Sequence, residues 1–497
     1  MDEELQQSFV KDKMVVYRHL ASLLIDEGRL PEAQQVLSML KEEEYFDFIR
    51  RDAQEDVPKT QAIYNIFEQP LKKDYQEINS QLAALGYELG KLKKKAKIRL
   101  TKKEKARRKQ LGKNIKIAKK AFKVYLKELE KIFKKASTDR AVEFGKKNLN
   151  ILIKLQGKLR QLGEGVVLLH YLITKNKLYI IVTTPFVQLV REVQIDEKKF
   201  NQEIRVFRQT LKNLRNPKGN AETLYNWILK PIIVDLEQAK AKTLMLSLDS
   251  TLRYIPIAAL YNGESEEYVA ERYAIVIYTE AGKDTLKDDP VMPWTLVGLG
   301  LSKAVSGFRA LPNVVTEIES IVRHNKDDQD GILEGVTYFD QDFDADTMQD
   351  VLDEGYPVMH IASHFEFKLG TDQSSFLLLG NGEKLTLAQI EEEDYDFNNL
   401  DMLTLSACNT AMGDRANGKE IEGFAMLAQN QGAKSVLATL WAVYDKSTGK
   451  FMQQFYRKKQ SLNKAQALQQ VQKSFINEGE YDHPYYWAPF ILIGNWL

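Results

Sequence analysis

The spacing of hydrophobic positions changes three times along this chain, and each change marks a different kind of element. In YRHLASLLIDEGRLPEAQQVLSML, apolar residues recur at helical spacing, with Ala21, Gly28 and Ala33 where two paired helices must approach closely. From Lys91 to Lys135, Ile98, Ala106, Leu111, Ile115, Ala118, Phe122, Leu126, Leu129 and Phe133 follow at steps of mostly three or four. That is an amphipathic stripe, breakable at Gly112 and at the Leu100-Thr101 step, and it predicts a long helical hairpin beginning near Gln76.

After Gly165 the period shortens. VVLLHYLI and KLYIIVTT are short β-branched and aromatic runs around Thr-Lys-Asn, the signature of a hairpin. Helical stretches follow near 204–214 and 223–236, then TLMLSL, LDSTLRYIPIAALYNG and YAIVIYT. From Trp294 onward strand-like runs alternate with helices: TLVGLGLS, PNVVTEIESIVRH, GVTYFDQ, ADTMQDVLDE, VMHIAS, LDMLTLSAC, EIEGFAMLAQNQ, AKSVLATLWAV and APFILIGNW. Apolar strands alternating with helices predict an α/β fold, a mostly parallel sheet sandwiched by helices. An all-α region precedes it. The expected divisions are 1–75 for the first helical segment, 76–163 for the hairpin, 164–290 for a first α/β half and 291–497 for a second.

The 497 residues exceed one ordinary core, and 44 % apolar with 28 % charged residues is a globular balance. No run of about eighteen apolar residues occurs, and MDEELQQSFVKDK is too acidic and polar for a signal peptide, so the expectation is a cytoplasmic protein without a membrane partner. The net charge of +1 conceals an asymmetry: Lys91–Lys135 holds 21 Lys and Arg against 3 Glu, which leaves the remainder at about −17. Such a face can neutralise phosphates, or lie solvated against the acidic remainder. With no nucleic-acid fold or stacking aromatics beside it, nucleic acid enters only through this hairpin or through a partner.

One cysteine in the whole chain excludes an internal disulfide and a thiolate zinc cluster, and nothing in the pattern calls for a metal or cofactor. A lone cysteine is usually apolar filler. Cys408, however, stands at the carboxyl end of LDMLTLSAC, where the strand exits into NTAMGDRANG, and PVMHIASH delivers His364 to a similar exit. If the two strands are neighbours, the imidazole can take the thiol proton and create a nucleophile. His360 is four residues earlier, on the same face by alternation and ~13 Å deeper, either a support for the pair or simply buried. The backbone N–H groups of Cys408 and Phe365 are the candidate oxyanion donors. A redox sensor acting through its only thiol would need Cys408 and not His364.

VMHIASHFEF, LTLSACNTAMGD, KEIEGFAMLAQNQGAKSVLATLWAVYDKSTGKFMQQFY and HPYYWAPFILIGNW together resemble the signature blocks of CHAT domains, relatives of caspases and separase. LYNWILKPI, LDSTLRYIPIAALYNG and YVAERYAIVIYT are similar to that family's non-catalytic half, so the resemblance runs from about Val166 to Leu497. It implies a caspase-like sheet with non-catalytic and catalytic halves, and a cysteine endopeptidase whose dyad is His364 and Cys408. The chain departs from the family at Phe365, where Gly is usual, which implies an oxyanion hole that needs adjustment or substrate to form. A non-catalytic scaffold is the alternative that this departure favours.

Asp445, in LWAVYDKST, resembles the separase position that receives a basic side chain; otherwise it caps the following helix. Asp249, with Arg253 across Leu252 in DSTLRYIP, is a second substrate-binding candidate. The implied cleavage is after Arg or Lys in a protein substrate, with Leu or Met the fallback. The first helical segment is similar to a tetratricopeptide unit, either packed on the following helices or cut from a longer repeat protein, and implies a regulatory protein partner. Relatives act in bacterial immunity, among them a CRISPR-associated peptidase and others that cleave bacterial gasdermins.

Overall fold

The computed structural model describes residues 3–49, 101, 103–107, 109–111, 152–288, 291–325, 327–328, 331–367, 375–392, 395–410, 419–441, 443 and 446–497. The chain divides into two compact units, Met1–Glu43 with Ala53–Ile151, and Glu44–Asp52 with Leu152–Leu497. Most of the expected hairpin, including most of Lys91–Lys135, lies outside the described residues.

At the N-terminus, α1 (Glu3–Asp26) and α2 (Leu30–Ile49) are joined through Gly28, whose φ of +72° is costly for any residue with a Cβ. Its N–H reaches the Ile25 carbonyl at 2.9 Å and the Arg29 N–H reaches Leu24 at 2.8 Å, which closes the end of α1. Ala21 and Ala33 are fully buried.

The second unit carries β1 (Val166–Ile173), β2 (Lys177–Thr183), β3 (Gln188–Gln194), β4 (Thr243–Ser247), β5 (Tyr261–Asn262), β6 (Glu267–Tyr268), β7 (Ala274–Ile277), β8 (Leu296–Gly300), β9 (Val322–Arg323), β10 (Leu333–Phe339), β11 (Val358–Phe367), β12 (Phe376–Leu378), β13 (Lys384–Thr386), β14 (Met402–Thr410), β15 (Ser435–Thr439) and β16 (Phe490–Gly494). One large sheet runs in the order β3-β2-β1-β4-β7-β16-β15-β14-β11-β8-β10-β9, with β12 and β13 appended to β11. The hairpin strands β1 to β3 are antiparallel and β16 runs against β15; the other neighbours along this order are parallel. The expected mostly parallel sheet flanked by helices is therefore present, with helices ahead of it. The closing strand β16 joins the two halves, between β7 and β15.

Leu296, Val297, Leu299, Val358, Met359, Met402 and Leu403 are at most barely exposed, because strands covered on both faces need near-continuous apolar sequence. In chain order the second half reads 2-1-3-4-5 across β10, β8, β11, β14 and β15, so the order reverses between β8 and β11. A doubly wound sheet opens its crevice at such a point, outside the carboxyl ends of the strands.

Four helices of this half matter to that crevice: α3 (Val314–Glu319), α4 (Lys419–Asn430), α5 (Lys446–Lys459) and α6 (Lys464–Glu478). A Cβ on Gly298 would collide with Ile318, so the bare glycine lets α3 lie directly on β8. Among the described residues, no helix is long and apolar enough to cross a membrane.

Candidate active site

β11 and β14 are adjacent and parallel, in regular register from Val358 opposite Met402 to Ala362 opposite Ser406. The register then slips, and Phe365 stands opposite Cys408. One extra residue has entered β11 at Ser363 and His364, a bulge of the kind that re-aims a side chain at a strand end. Neighbouring strands lie ~4.8 Å apart, so the backbones carrying His364 and Cys408 are side by side at the carboxyl edge of the sheet. The Cys408 side chain, the segment 411–418 and Asp445 lie outside the described residues.

His364 is buried, and its Nε2 is 2.9 Å from the carbonyl oxygen of Arg309. A carbonyl only accepts, so in the neutral ring Nε2 carries the proton and Nδ1 keeps the free lone pair. The ring packs on Phe308 with centroids 5.1 Å apart. Both partners belong to the loop that follows β8, and that loop is anchored by Asp340.

Asp340 has a φ of +53°, a conformation that aspartate tolerates better than most residues. Its carboxylate accepts from the N–H groups of Ser302 (2.8 Å) and Lys303 (3.0 Å) and from the Ser302 hydroxyl (2.9 Å), and meets Lys303 Nζ at 3.0 Å. Burial raises the pKa of this carboxyl, but the bonds from Ser302 and Lys303 prevail and hold it below the usual range.

A cavity of about 220 Å³ opens beside this loop, lined by Arg309, Asn313, Glu317, Ser406, Val443 and Thr448 among others. Glu317 is a buried carboxylate whose Oε1 lies 3.1 Å from His360 Nε2. His360 is fully buried; its Nδ1 is 3.1 Å from the Tyr456 hydroxyl, which lies 2.8 Å from Thr404 Oγ1. The donors order themselves. An ionised Glu317 accepts from Nε2–H, Nδ1 accepts from Tyr456, and the Tyr456 oxygen accepts from Thr404. Burial drives the Tyr456 pKa far up, which keeps this phenol a donor. His360 thus belongs to a relay from β14 to the crevice wall, with its imidazole committed at both nitrogens.

Phe365 keeps an extended strand backbone between Cys408 and Leu377, and its ring is buried edge-on against Phe424 of α4 at 4.7 Å. A strand flanked on both sides holds its N–H groups in the plane of the sheet, so the ladder competes for the Phe365 N–H. Asp249 is buried, and its carboxylate accepts from the Ile173 N–H at 2.8 Å. Arg253 is buried between Glu422 of α4 at 2.8 Å and Glu44 at 2.5 Å. Burial opposes its charge, but the carboxylates of Glu422, Glu44 and Asp249 outweigh that and raise its pKa.

Sequence reading passed over Glu317, Arg309 and Tyr456. Glu317 carried a usable signal: it falls at the i+3 position of a stripe made by Val314, Ile318 and Ile321, all buried. A carboxylate on an apolar helix face needs a partner. Arg309 acts through its carbonyl, which no side-chain pattern reveals.

The CHAT domain family model matches residues 218–495. The chain belongs to the CHAT domain family. Several solved structures are similar to this CHAT chain at low identity. Gingipain R, described as an Arg-specific cysteine proteinase, is 8% identical with a TM-score of 0.35, over 60% of this chain and 75% of that one. The Porphyromonas gingivalis RgpB complex of pro- and mature domains is 8% identical with a TM-score of 0.36, over 60% and 76%. Separase in the Saccharomyces cerevisiae separase–securin complex is 10% identical with a TM-score of 0.45, over 96% of this chain and 44% of that one. The CHAT chain spans less than half the length of that separase chain. Among curated proteins none matches.

Proposed function

We propose that this CHAT protein is a cysteine endopeptidase with Cys408 as nucleophile and His364 as its base. The observation that carries the reading is the adjacency of β11 and β14 together with the tie from His364 Nε2 to the Arg309 carbonyl, which leaves Nδ1 as the proton acceptor. Thr404 and Ser406, four and two residues before Cys408, meet Tyr456 and line the crevice respectively.

In this mechanism Nδ1 takes the thiol proton and the sulfur adds to the scissile carbonyl carbon. The oxyanion accepts from the Cys408 N–H and, once the bulge releases it, from the Phe365 N–H. The imidazolium returns its proton to the departing amine as the C–N bond breaks. Water, deprotonated by the same nitrogen, then hydrolyses the thioester and restores the thiol.

A basic residue before the scissile bond would meet Asp445, six residues past the end of β15 in sequence, and Glu317 on the crevice wall, a charge-assisted contact. Asp249 is already engaged by Ile173, which makes it the lesser candidate. The N-terminal helices would receive a regulatory protein that gates the crevice of a cytoplasmic, defence-related peptidase.

The test is a peptide library with proteomic mapping of new termini in cells expressing the full chain, its Cys408→Ala variant or its His364→Ala variant. Cleavage after Arg or Lys, lost in both variants, is the expected result. Cleavage unchanged in either variant overturns the dyad. Labelling of Cys408 by a thiol-reactive peptide electrophile without any cleavage would favour the second reading, a scaffold whose oxyanion hole Phe365 keeps closed.

A further inference from the structure

A second cavity, of about 230 Å³, lies at the opposite edge of the same half-sheet. Its walls include Trp294 just ahead of β8, Arg323 of β9, Ile332 just ahead of β10, and Tyr456 and Lys459 at the end of α5. β8 and β10 run parallel, so these residues cluster at the amino ends of the strands, away from the carboxyl-edge crevice.

The decisive feature is the ammonium of Lys459. The residue is 6% exposed, and among the described residues its Nζ has no hydrogen-bond or ion-pair partner; it stands over the face of Trp294, 4.4 Å from the ring centroid. Burial lowers its pKa and the Asp401 carboxylate only partly offsets this; Asp401 is itself held by Lys464 at 3.2 Å and by Trp294 Nε1 at 2.9 Å. The guanidinium of Arg323, on the same cavity wall, likewise has no ion-pair partner among the described residues. Its register neighbour Glu334 also lines the cavity, but no ion pair joins the two. A lysine in the last turn of α5 would complement the helix dipole just as well from solvent, so that role does not account for burying the charge. Two cations line this partly apolar cavity against the single carboxylate of Glu334, and neither is paired with it, an excess of positive charge that favours an anion there.

We propose that this cavity is a binding site for a small phosphate monoester with an apolar or aromatic body, the phosphate between Lys459 and Arg323 and the body against the Trp294, Pro293 and Ile332 side. The Tyr456 in its wall is the same tyrosine that bonds His360, so an occupant would sit one side chain from the relay into the crevice.

Isothermal titration of the full chain with phenyl phosphate, inorganic phosphate and phenol tests the assignment without reference to any activity. The expected result is saturable binding of phenyl phosphate, weaker binding of inorganic phosphate and none of phenol, with affinity for phenyl phosphate reduced at least ~10-fold in Lys459→Met and in Arg323→Gln. No saturable binding of phenyl phosphate at millimolar concentration overturns the proposal. So does binding that both variants retain in full, which would place the anion elsewhere, as on Lys91–Lys135. Should Lys459→Met not fold, Arg323→Gln decides alone.

Discussion

The hydroxyl of Tyr456 lies 3.1 Å from Nδ1 of His360, and that imidazole in turn meets Glu317 on the wall of the candidate crevice. Thr404, on the strand that leads to Cys408, closes the other end at 2.8 Å. Every polar group of this relay is buried, so each bond matters more than a surface bond would, and a gap in it leaves a stranded donor or acceptor.

Tyr456→Phe removes one hydroxyl and keeps the ring. His360 Nδ1 and the Thr404 hydroxyl then lose their shared partner, and unfolding free energy should fall by ~1–3 kcal/mol. Denaturant titration checks this. An unchanged midpoint would show that the relay contributes nothing to stability.

Asp340→Ala should loosen the loop bearing Phe308 and Arg309, because four groups of Ser302 and Lys303 converge on that carboxylate. The expected loss is ~1.5–3 kcal/mol, accompanied by a lower rate in the cysteine-peptidase reaction proposed above as His364 loses its fixed carbonyl. The folded-state pKa of Asp340 is depressed, so the unfolded chain binds its proton first as pH falls. The stabilisation is therefore present above the ordinary aspartate pKa of ~3.9 and lost as pH drops through the lower folded value. Unfolding curves of wild type and Asp340→Ala should converge on acidification over that range.

The alternation of apolar runs and helices was enough to read the second half as a mostly parallel sheet, because strands such as VMHIAS and LDMLTLSAC are the near-continuous apolar runs that burial on both faces imposes. The exits of those strands marked His364 and Cys408 for the same reason. What did not show was the bulge at Ser363 and His364, since a register slip is settled by both strands jointly and leaves no mark in either alone. Nor did the Arg309 carbonyl, a backbone acceptor for His364 Nε2 in the loop after β8. At Phe365 the backbone is extended, a geometry that suits phenylalanine, and β12 and β14 pair with it on either side.

Arg253→Met should be among the more damaging single changes in the α/β half. It strands the buried carboxylates of Glu422 and Glu44, a loss of about 3–5 kcal/mol. Because Glu422 sits on α4, the next described helix after β14, Arg253 also ties the DSTLRYIP segment to that helix. Adding Glu422→Gln to Arg253→Met should recover part of the loss, and a double-mutant cycle in denaturant measures how much. Strict additivity would contradict a direct pair.

Lys464 is fully buried against Asp401, with its ammonium 3.2 Å from the carboxylate. Burial pushes its pKa down to about 8, and the attraction of Asp401 only partly counters that. The unfolded chain holds this proton up to the ordinary lysine value of ~10.4, so between about 8 and ~10.4 the unfolded state binds more protons than the folded one. Stability from this site therefore rises with pH across that window, opposite in sign to the loss that a lysine with a raised pKa would give. Tyrosines with raised pKa values, such as Tyr171, act the other way above pH ~10, so the site is isolated by difference. Subtracting the stability of Lys464→Met from that of the wild type at pH 8 and again at pH 10 should give a value that increases with pH. A difference that stays flat or declines would mean that Lys464 remains charged when buried, and that Asp401 outweighs the loss of solvent.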